Sequence, residues 1–223
     1  MSTKLTKVAK GLVAAGLMAA ASAYAASDVG LVRQLAGNVS YDSGSGSMQA
    51  KPYMKVRQGD RFSVAAGAQV QVIYFDSGRQ ESFAGPASFV AGAKQSAVQS
   101  GAQPQVKTLP TDVPERIAQT PELLQIAKLG RSGGVAVRGI GTDQRLTLQE
   151  RSEVSKAQAT YEQLRATVAA DDIMPEQYLY AVLQDHLLYH DMMPVVQEMS
   201  RRQPGNQDVA IMMSYVQSKI ASR

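Results

Sequence analysis

The amino-acid sequence predicts an α+β protein with segregated domains: an all-β N-terminal domain followed by a C-terminal domain of α-helical hairpins. Two observations support this. From residue 56 to residue 89, polar and apolar residues alternate as they do in strands, and glycine-containing turns interrupt the alternation. From Thr147 onwards, apolar residues instead recur with the spacing of one helix face. The separation of the two periods along the chain is typical of an α+β fold.

Residues 1–25 have the pattern of a secretory signal peptide. Lys4, Lys7 and Lys10 precede an apolar run at 11–21, and the small residues of Ala23-Tyr24-Ala25 follow it. We expect cleavage directly after this motif and export to the periplasm. A retained membrane anchor is the alternative, and the run is shorter than the roughly 20 strongly apolar residues that span a bilayer.

Composition limits the classes of partner. The 223 residues include no cysteine, so the core has to be stabilised by packing without disulfides. Of the formal net charge of +4, three units belong to the signal-peptide lysines, which leaves about +1 on the mature chain. With no tryptophan and 6% aromatic residues, neither a basic patch nor a base-stacking platform is indicated. We therefore predict no nucleic-acid partner and, after signal cleavage, no membrane insertion.

The β-domain is predicted over residues 26–108. One strand is especially clear, because Val70, Val72 and Tyr74 share one side of it while Gln69, Gln71 and Ile73 share the other. Glycines that tolerate positive φ and aspartates that accept hydrogen bonds from turn amides separate the strands. These predicted structural turn residues are Gly59, Asp60, Gly67, Asp76 and Gly78. Short strands between such turns favour a sandwich, a roll or a solenoid-like β-domain.

The order of several short motifs resembles the FecR-like domain over roughly residues 28–106. The motifs are Gly37-Asn38-Val39, residues 56–62, Ala66-Gly67-Ala68, residues 70–79 and Gly85-Pro86-Ala87. The resemblance implies a periplasmic interaction or signal-sensing module with this β-fold. The family's regulators also act on a sigma factor from the cytoplasm. The predicted cleavable signal does not match that organisation, so we do not carry this role over.

Residues 109–142 are predicted to form a connector rich in proline and glycine. It contains one short helix at 121–129, which Thr120 caps and Gly130 ends. Five glycines between 130 and 141 then flank a short predicted strand, Val135 to Arg138. The segment contains neither a G-x-G-x-x-G order nor a G-K-[ST] sequence, which argues against a nucleotide-binding loop.

The helical domain is predicted over residues 143–223. Thr147 and Glu150 match a capping box at the start of a first helix. Pro175 is predicted to open a second helix, Pro194 a third, and Asn206 to cap a fourth. Helices with such short connections pack as antiparallel hairpins.

Residues 176–204 resemble one tetratricopeptide repeat (TPR). The resemblance depends on apolar or small residues at Leu179, Tyr180, Leu183, Met192, Val196 and Met199, with a proline after them. Tyr180 and Met192 depart from the repeat, which prefers small residues at those positions. The resemblance implies TPR-like helical hairpins whose concave side can bind a protein partner.

His186 and His190 are the only candidate metal ligands. Their spacing of four residues places them on one face of the predicted second helix. No third ligand is specified, and the residue after the first histidine is Leu187, where a zincin has glutamate. We therefore predict no metal site, no cofactor and no catalytic residue, and keep these two histidines as weak candidates.

The sequence supports three hypotheses of function. The first is a non-catalytic periplasmic protein-interaction or signal-sensing module of the bacterial cell envelope, with another envelope protein as its partner. The second is a binding module for peptidoglycan or another envelope polymer. The third is a metal-dependent enzyme, which depends on His186 and His190 alone.

Overall fold

The computed structural model of this protein describes residues 27–131 and 146–221. Within these ranges the strands all come first and the helices follow, so the predicted α+β layout is confirmed. The signal peptide predicted at 1–25 and the strand predicted at 135–138 lie outside the described residues. In the described ranges, no helix is both long enough and apolar enough to cross a bilayer.

Ten short strands form the N-terminal part. They are β1 (Asp28–Ala36), β2 (Val39–Asp42), β3 (Ser47–Gln49), β4 (Lys55–Arg57), β5 (Arg61–Val64), β6 (Gln69–Tyr74), β7 (Arg79–Ala84), β8 (Ala87–Ala91), β9 (Ser96–Ser100) and β10 (Gln105–Thr108). The first sheet has the order β10-β7-β6-β1-β4, the second has the order β3-β2-β5-β8-β9, and all their pairs are antiparallel. We call them sheet A and sheet B.

The two sheets pack as a sandwich around one core. Phe83 of sheet A stacks on Phe89 of sheet B with ring centroids 4.0 Å apart, and Phe62 continues the stack at 4.9 Å from Phe89. Burial of such aromatic and branched side chains is the main stabilising contribution. Of the predicted alternatives for the β-domain, the structure has the sandwich.

Strand β6 has the predicted two-sided pattern, with a difference on its second side. Val70, Val72 and Tyr74 are buried in the core between the sheets. Ile73, on the opposite side, is also fully buried, because it packs against the helices. Sheet A is therefore covered on both faces, by sheet B on one and by the helices on the other.

Six helices follow the strands. They are α1 (Val113–Ala118), α2 (Thr120–Arg131), α3 (Leu148–Arg165), α4 (Met174–Asp185), α5 (Tyr189–Arg202) and α6 (Gln207–Ala221). Helices α3 to α6 pack each against the next, α2 packs against α6, and α1 packs against α4. Their common core includes Leu31 and Ile73 of sheet A, so the helices and the sandwich share buried apolar side chains.

The described part of segment 109–142 is mostly helical. The helix predicted at 121–129 is present as α2, and Gly130, expected to end it, lies inside it. Pro114 stands in the first turn of α1, where the missing N–H costs no hydrogen bond. Leu109, Val113 and Ile117 are buried in the helical core, so this segment contributes to the packing.

Of the four helix starts predicted after residue 143, three agree with the structure and one differs. Asn206 caps α6 as predicted, because its Oδ1 accepts hydrogen bonds from the N–H groups of Asp208 at 2.9 Å and Val209 at 3.3 Å. Thr147 and Glu150 form the complete predicted capping box of α3, and Pro175 lies in the first turn of α4. Pro194 was expected to open a helix, but this was wrong, because α5 begins at Tyr189 and contains Pro194. The Met192 N–H already donates to the Leu188 carbonyl at 2.9 Å, so the helix is established before the proline.

Candidate functional site at the junction of sandwich and helices

Arg33 lies on the face of sheet A that meets the helices, and it is only 5% exposed. The pairing of β1 with β6 shifts between Val32 and Gln34, so Arg33 is at a β-bulge, which can redirect a side chain. Its Nη1 donates to Asp172 Oδ1 at 2.6 Å, its Nε donates to Gln71 Oε1 at 3.0 Å, and its Nη2 donates to Gln34 Oε1 at 2.9 Å. The buried guanidinium is thus paired and hydrogen-bonded, as a buried charge has to be.

Asp172 supplies the negative charge from the loop between α3 and α4. Its Oδ1 also accepts a hydrogen bond from the Met174 N–H at 2.9 Å, at the start of α4. A carboxylate at this position is favoured because it satisfies a free amide and meets the positive end of the helix dipole. One oxygen atom therefore joins sheet A to the beginning of α4.

Tyr53 forms a second polar contact between the two parts. Its hydroxyl accepts a hydrogen bond from Gln177 Nε2 at 2.8 Å, and burial raises the pKa of the Tyr53 phenol. The backbone of Tyr53 has φ of +62°, which is strained for a residue with a Cβ. Its N–H donates to the Val32 carbonyl at 2.7 Å, which holds this loop against β1.

A cleft of about 290 Å³ opens beside these contacts. The sandwich contributes Gln34 and Tyr53 to its lining, together with Arg33. The helical part contributes mainly uncharged hydrogen-bonding side chains and one carboxylate, namely Gln177, Gln203, Asn206 and Asp208. The cleft therefore has walls from both parts of the molecule and depends on their docking.

Glu176, on the first turn of α4, is fully buried and joins three helices. Its carboxylate lies 3.2 Å from Arg165 Nη1 of α3 and 3.1 Å from Arg202 Nε of α5. The same two arginines bind the loop before α4, with Arg165 Nη1 donating to the Asp172 carbonyl at 2.5 Å and Arg202 Nη1 to the Ala170 carbonyl at 2.6 Å. This ionic cluster fixes the loop that presents Asp172 to Arg33.

Lys107 of β10 provides another polar link between the two parts. Its Nζ donates to the Thr167 hydroxyl at 2.7 Å and to the Thr167 carbonyl at 3.1 Å. Burial lowers the pKa of the Lys107 ammonium, which Asp172 partly opposes. The loop between α3 and α4 is thus held to sheet A at two positions.

The predicted turn residues lie in turns of the sandwich. The glycines all have positive φ, at +94° for Gly59, +75° for Gly67 and +62° for Gly78. The Asp60 carboxylate accepts a hydrogen bond from the Arg57 N–H at 2.9 Å, and Asp76 is exposed. A second polar cleft, of about 410 Å³, lies between the turn containing Asp60 and the 42–44 loop, with Arg61 in its lining.

The two histidines do not share a helix face, so that prediction was wrong. His186 follows the last residue of α4, Leu187 turns the chain with φ of +54°, and His190 is the second residue of α5. His190 is exposed, whereas the His186 imidazole lies between two carboxylates of α3, with Nδ1 3.9 Å from Glu150 Oε1 and Nε2 3.4 Å from Glu153 Oε2. Across 27–131 and 146–221, no group of three or more histidine, cysteine, aspartate or glutamate residues is placed to hold a metal ion.

Sequence reasoning missed Arg33, Asp172 and Gln177 as site residues. The one available signal was an arginine inside the mainly apolar strand Val29 to Leu35, where its charge needs a partner if the strand is covered on both faces. The partner lies 139 residues further along the chain, and nothing local identifies it.

No family model matches the chain, and no curated protein or solved structure matches it either. The junction is the candidate site, because it brings together buried charged and polar groups from distant parts of the chain.

Proposed function

We propose that this chain is a non-catalytic protein-interaction or signal-sensing module of the bacterial cell envelope, exported to the periplasm by the signal at 1–25. The observation that carries the proposal is the docking of the sandwich onto the helices through the buried pair of Arg33 and Asp172. Because the two parts also share a core, a partner that approaches the junction meets one composite surface.

The proposal includes a FecR-like β-domain and a TPR-like helical part. Its support is the two antiparallel sheets between residues 28 and 108 and the packing of α4 against α5 between residues 174 and 202. Both domains are interaction modules in the families they resemble. Their docking adds a surface that neither would present alone.

The use of the buried charges favours binding over catalysis. Arg33 is paired with Asp172, and Glu176 is shared between Arg165 and Arg202. A catalytic acid, base or nucleophile needs a side chain that reaches a substrate. Here these buried groups are instead committed to holding elements of the protein together.

The experiment is a crosslinking pulldown from periplasmic extract with the mature chain, residues 26–223. The matched variants are Asp172→Ala, which breaks the junction, and Arg201→Ala, which removes an exposed arginine of α5. A defined envelope protein recovered by the wild type and by Arg201→Ala, and lost with Asp172→Ala, supports the proposal. Recovery of no protein by the wild type contradicts it.

The second candidate function is a binding module for peptidoglycan or another envelope polymer. It is favoured by the uncharged hydrogen-bonding side chains of the junction cleft, including Gln34, Gln177 and Gln203. Cosedimentation of the mature chain with purified sacculi tests it. Binding to sacculi without recovery of a protein partner would select this function over the first.

A further inference from the structure

The junction cleft contains hydrogen-bonding groups that the protein itself leaves unused. Gln177 is only 4% exposed and donates through Nε2 to Tyr53, but its Oε1 accepts no hydrogen bond from any described residue. The Tyr53 hydroxyl accepts that bond and finds no acceptor for its own hydrogen in the same ranges. An amide oxygen and a phenol hydrogen that open onto a cleft are suited to a ligand.

The charges at the cleft favour an uncharged ligand. The Arg33 guanidinium is neutralised by Asp172 and is also bound by Gln34 and Gln71, so it has little left to offer an anion. The remaining charge in the lining is Asp208, whose carboxylate lies 3.7 Å from Lys128 Nζ. An anion that lost its water here would gain no free counter-charge, and a cation would find only a carboxylate that already pairs with Lys128.

Size and shape limit the ligand further. A volume of about 290 Å³ lies just below the usual lower limit of ligand pockets, about 300 Å³, and suits one ring better than a chain of several residues. Beside the polar groups, the lining offers the apolar side chains of Leu35, Pro52 and Ile173. A ligand that has hydroxyl groups, an amide and a small apolar patch would satisfy both kinds of wall.

We infer that this cleft binds a neutral saccharide unit, of which an N-acetylated hexosamine has all the required groups. Its hydroxyl or amide hydrogen would donate to Gln177 Oε1, an oxygen would accept from the Tyr53 hydroxyl, and its ring face or methyl group would lie against the apolar wall. The inference deepens the proposed polymer-binding and sensing functions, because the ligand would contact both docked parts at once. Binding would then stabilise the docked arrangement by mass action.

The test is a titration of the isotope-labelled mature chain with N-acetylglucosamine, followed by amide chemical shifts. Glucosamine, a cation, and glucuronate, an anion, are the charged controls. We expect shifts at Gln34, Tyr53 and Gln177 with the neutral sugar and much weaker shifts with the charged ones. Tyr53→Phe should weaken binding roughly tenfold, and Arg61→Ala, in the other cleft, should leave it unchanged.

Three results would overturn the inference: no shift at the junction with N-acetylglucosamine, equal shifts with a charged sugar, or unchanged binding in Tyr53→Phe. If Tyr53→Phe fails to fold, Leu35→Trp, which fills the cleft from the sandwich side, has to abolish binding instead. The pulldown uses no saccharide. A recovered protein partner together with absent sugar binding would therefore remove this inference while leaving the first proposed function intact.

Discussion

The side chains of Arg33 and Asp172, 139 residues apart in the chain, meet at 2.6 Å in the interface between sheet A and the helices. Both are nearly inaccessible to solvent, so neither charge could be hydrated without opening the interface. Replacing such a pair by apolar residues is often tolerated, whereas removing one member leaves an unpaired buried charge. Separating the sandwich from the helices would therefore have to break this pair and hydrate both charges.

Asp172→Ala should lower the free energy of unfolding by about 3–5 kcal/mol, because Arg33 would remain buried without its counter-charge. Arg33→Met combined with Asp172→Leu should recover most of this loss. Urea unfolding of the variants measures both effects. The control is Arg201→Ala, whose side chain is 75% exposed, with an expected change below about 1 kcal/mol. Equal losses in Asp172→Ala and Arg201→Ala would show that the junction pair contributes no more than a surface pair.

Glu176→Ala should disrupt the ionic cluster that joins α3, α4 and α5, because it removes the carboxylate that Arg165 and Arg202 share. The fully buried carboxylate balances Arg165 and Arg202, and its loss should cost about 3 kcal/mol or more. Glu176→Gln should cost less, since an amide oxygen still accepts from one arginine. Thermal unfolding measures which of the two variants loses more stability. Glu162→Ala, on the exposed side of α3, is the matched control. A stability in Glu176→Ala as high as in the control would contradict the assigned role.

The sandwich could be predicted from sequence because its signals are local. The alternation along β6 and the glycine turns need only neighbouring residues, and the capping box of Thr147 and Glu150 spans a single helical turn. The docking of the helices on sheet A could not be predicted in this way. The face of sheet A that the helices cover carries Arg33, Gln71 and Gln80, and such polar residues are expected on a face exposed to solvent.

The histidine prediction failed for a different physical reason. A helix that ends at a residue with positive φ is usually marked by glycine, and here the position is Leu187. The Leu188 N–H donates to the Leu183 carbonyl at 3.0 Å, which closes the end of α4 without a sequence signal. The break separates His186 from His190 and removes the expected pair of ligands.

Thr147→Ala should lower stability by about 1 kcal/mol, because it removes the acceptor for the Glu150 N–H at the start of α3. Ser155→Ala, on the exposed side of the same helix, should have little effect. The hydrogen bond from the Thr147 N–H lowers the pKa of the Glu150 carboxyl, so the contribution of the Glu150 carboxylate to stability should be present above the ordinary glutamate pKa and lost as the pH falls through the lowered value. Thermal melts of the wild type and of Glu150→Gln in this pH range measure it, and an identical pH dependence in the two proteins would contradict it.

Limited proteolysis should spare the chain between Leu109 and Ala127. The sequence alone suggests a connector there, but these residues belong to the helical core, and Arg116 pairs with Asp185 of α4. Trypsin should therefore cut after Arg116 only after local unfolding, and mass spectrometry of early fragments detects this. In the Asp172→Ala variant, the same bond should become sensitive. Early cleavage after Arg116 in the wild type would contradict the packing of α1.

Asp60→Asn should make the stability of the sandwich less dependent on pH. Burial raises the pKa of the Asp60 carboxyl, and the hydrogen bond from the Arg57 N–H opposes this only in part. The folded state therefore binds the proton more tightly than the unfolded state does. The wild type should then lose stability as the pH rises from the ordinary aspartate pKa through the raised value, and remain at that level above it.

Asparagine keeps an oxygen that accepts from the Arg57 N–H but carries no charge, so the variant should lack this loss. Relative to the wild type, it should be more stable at neutral pH than at pH values below the ordinary aspartate pKa. Urea unfolding at several pH values measures the difference, and Asp76→Asn, at an exposed turn, controls for the loss of one negative charge. If Asp60→Asn instead destabilises the protein at neutral pH and not in acid, the ionised carboxylate is the form that the turn requires, and the assigned direction of the pKa shift is wrong.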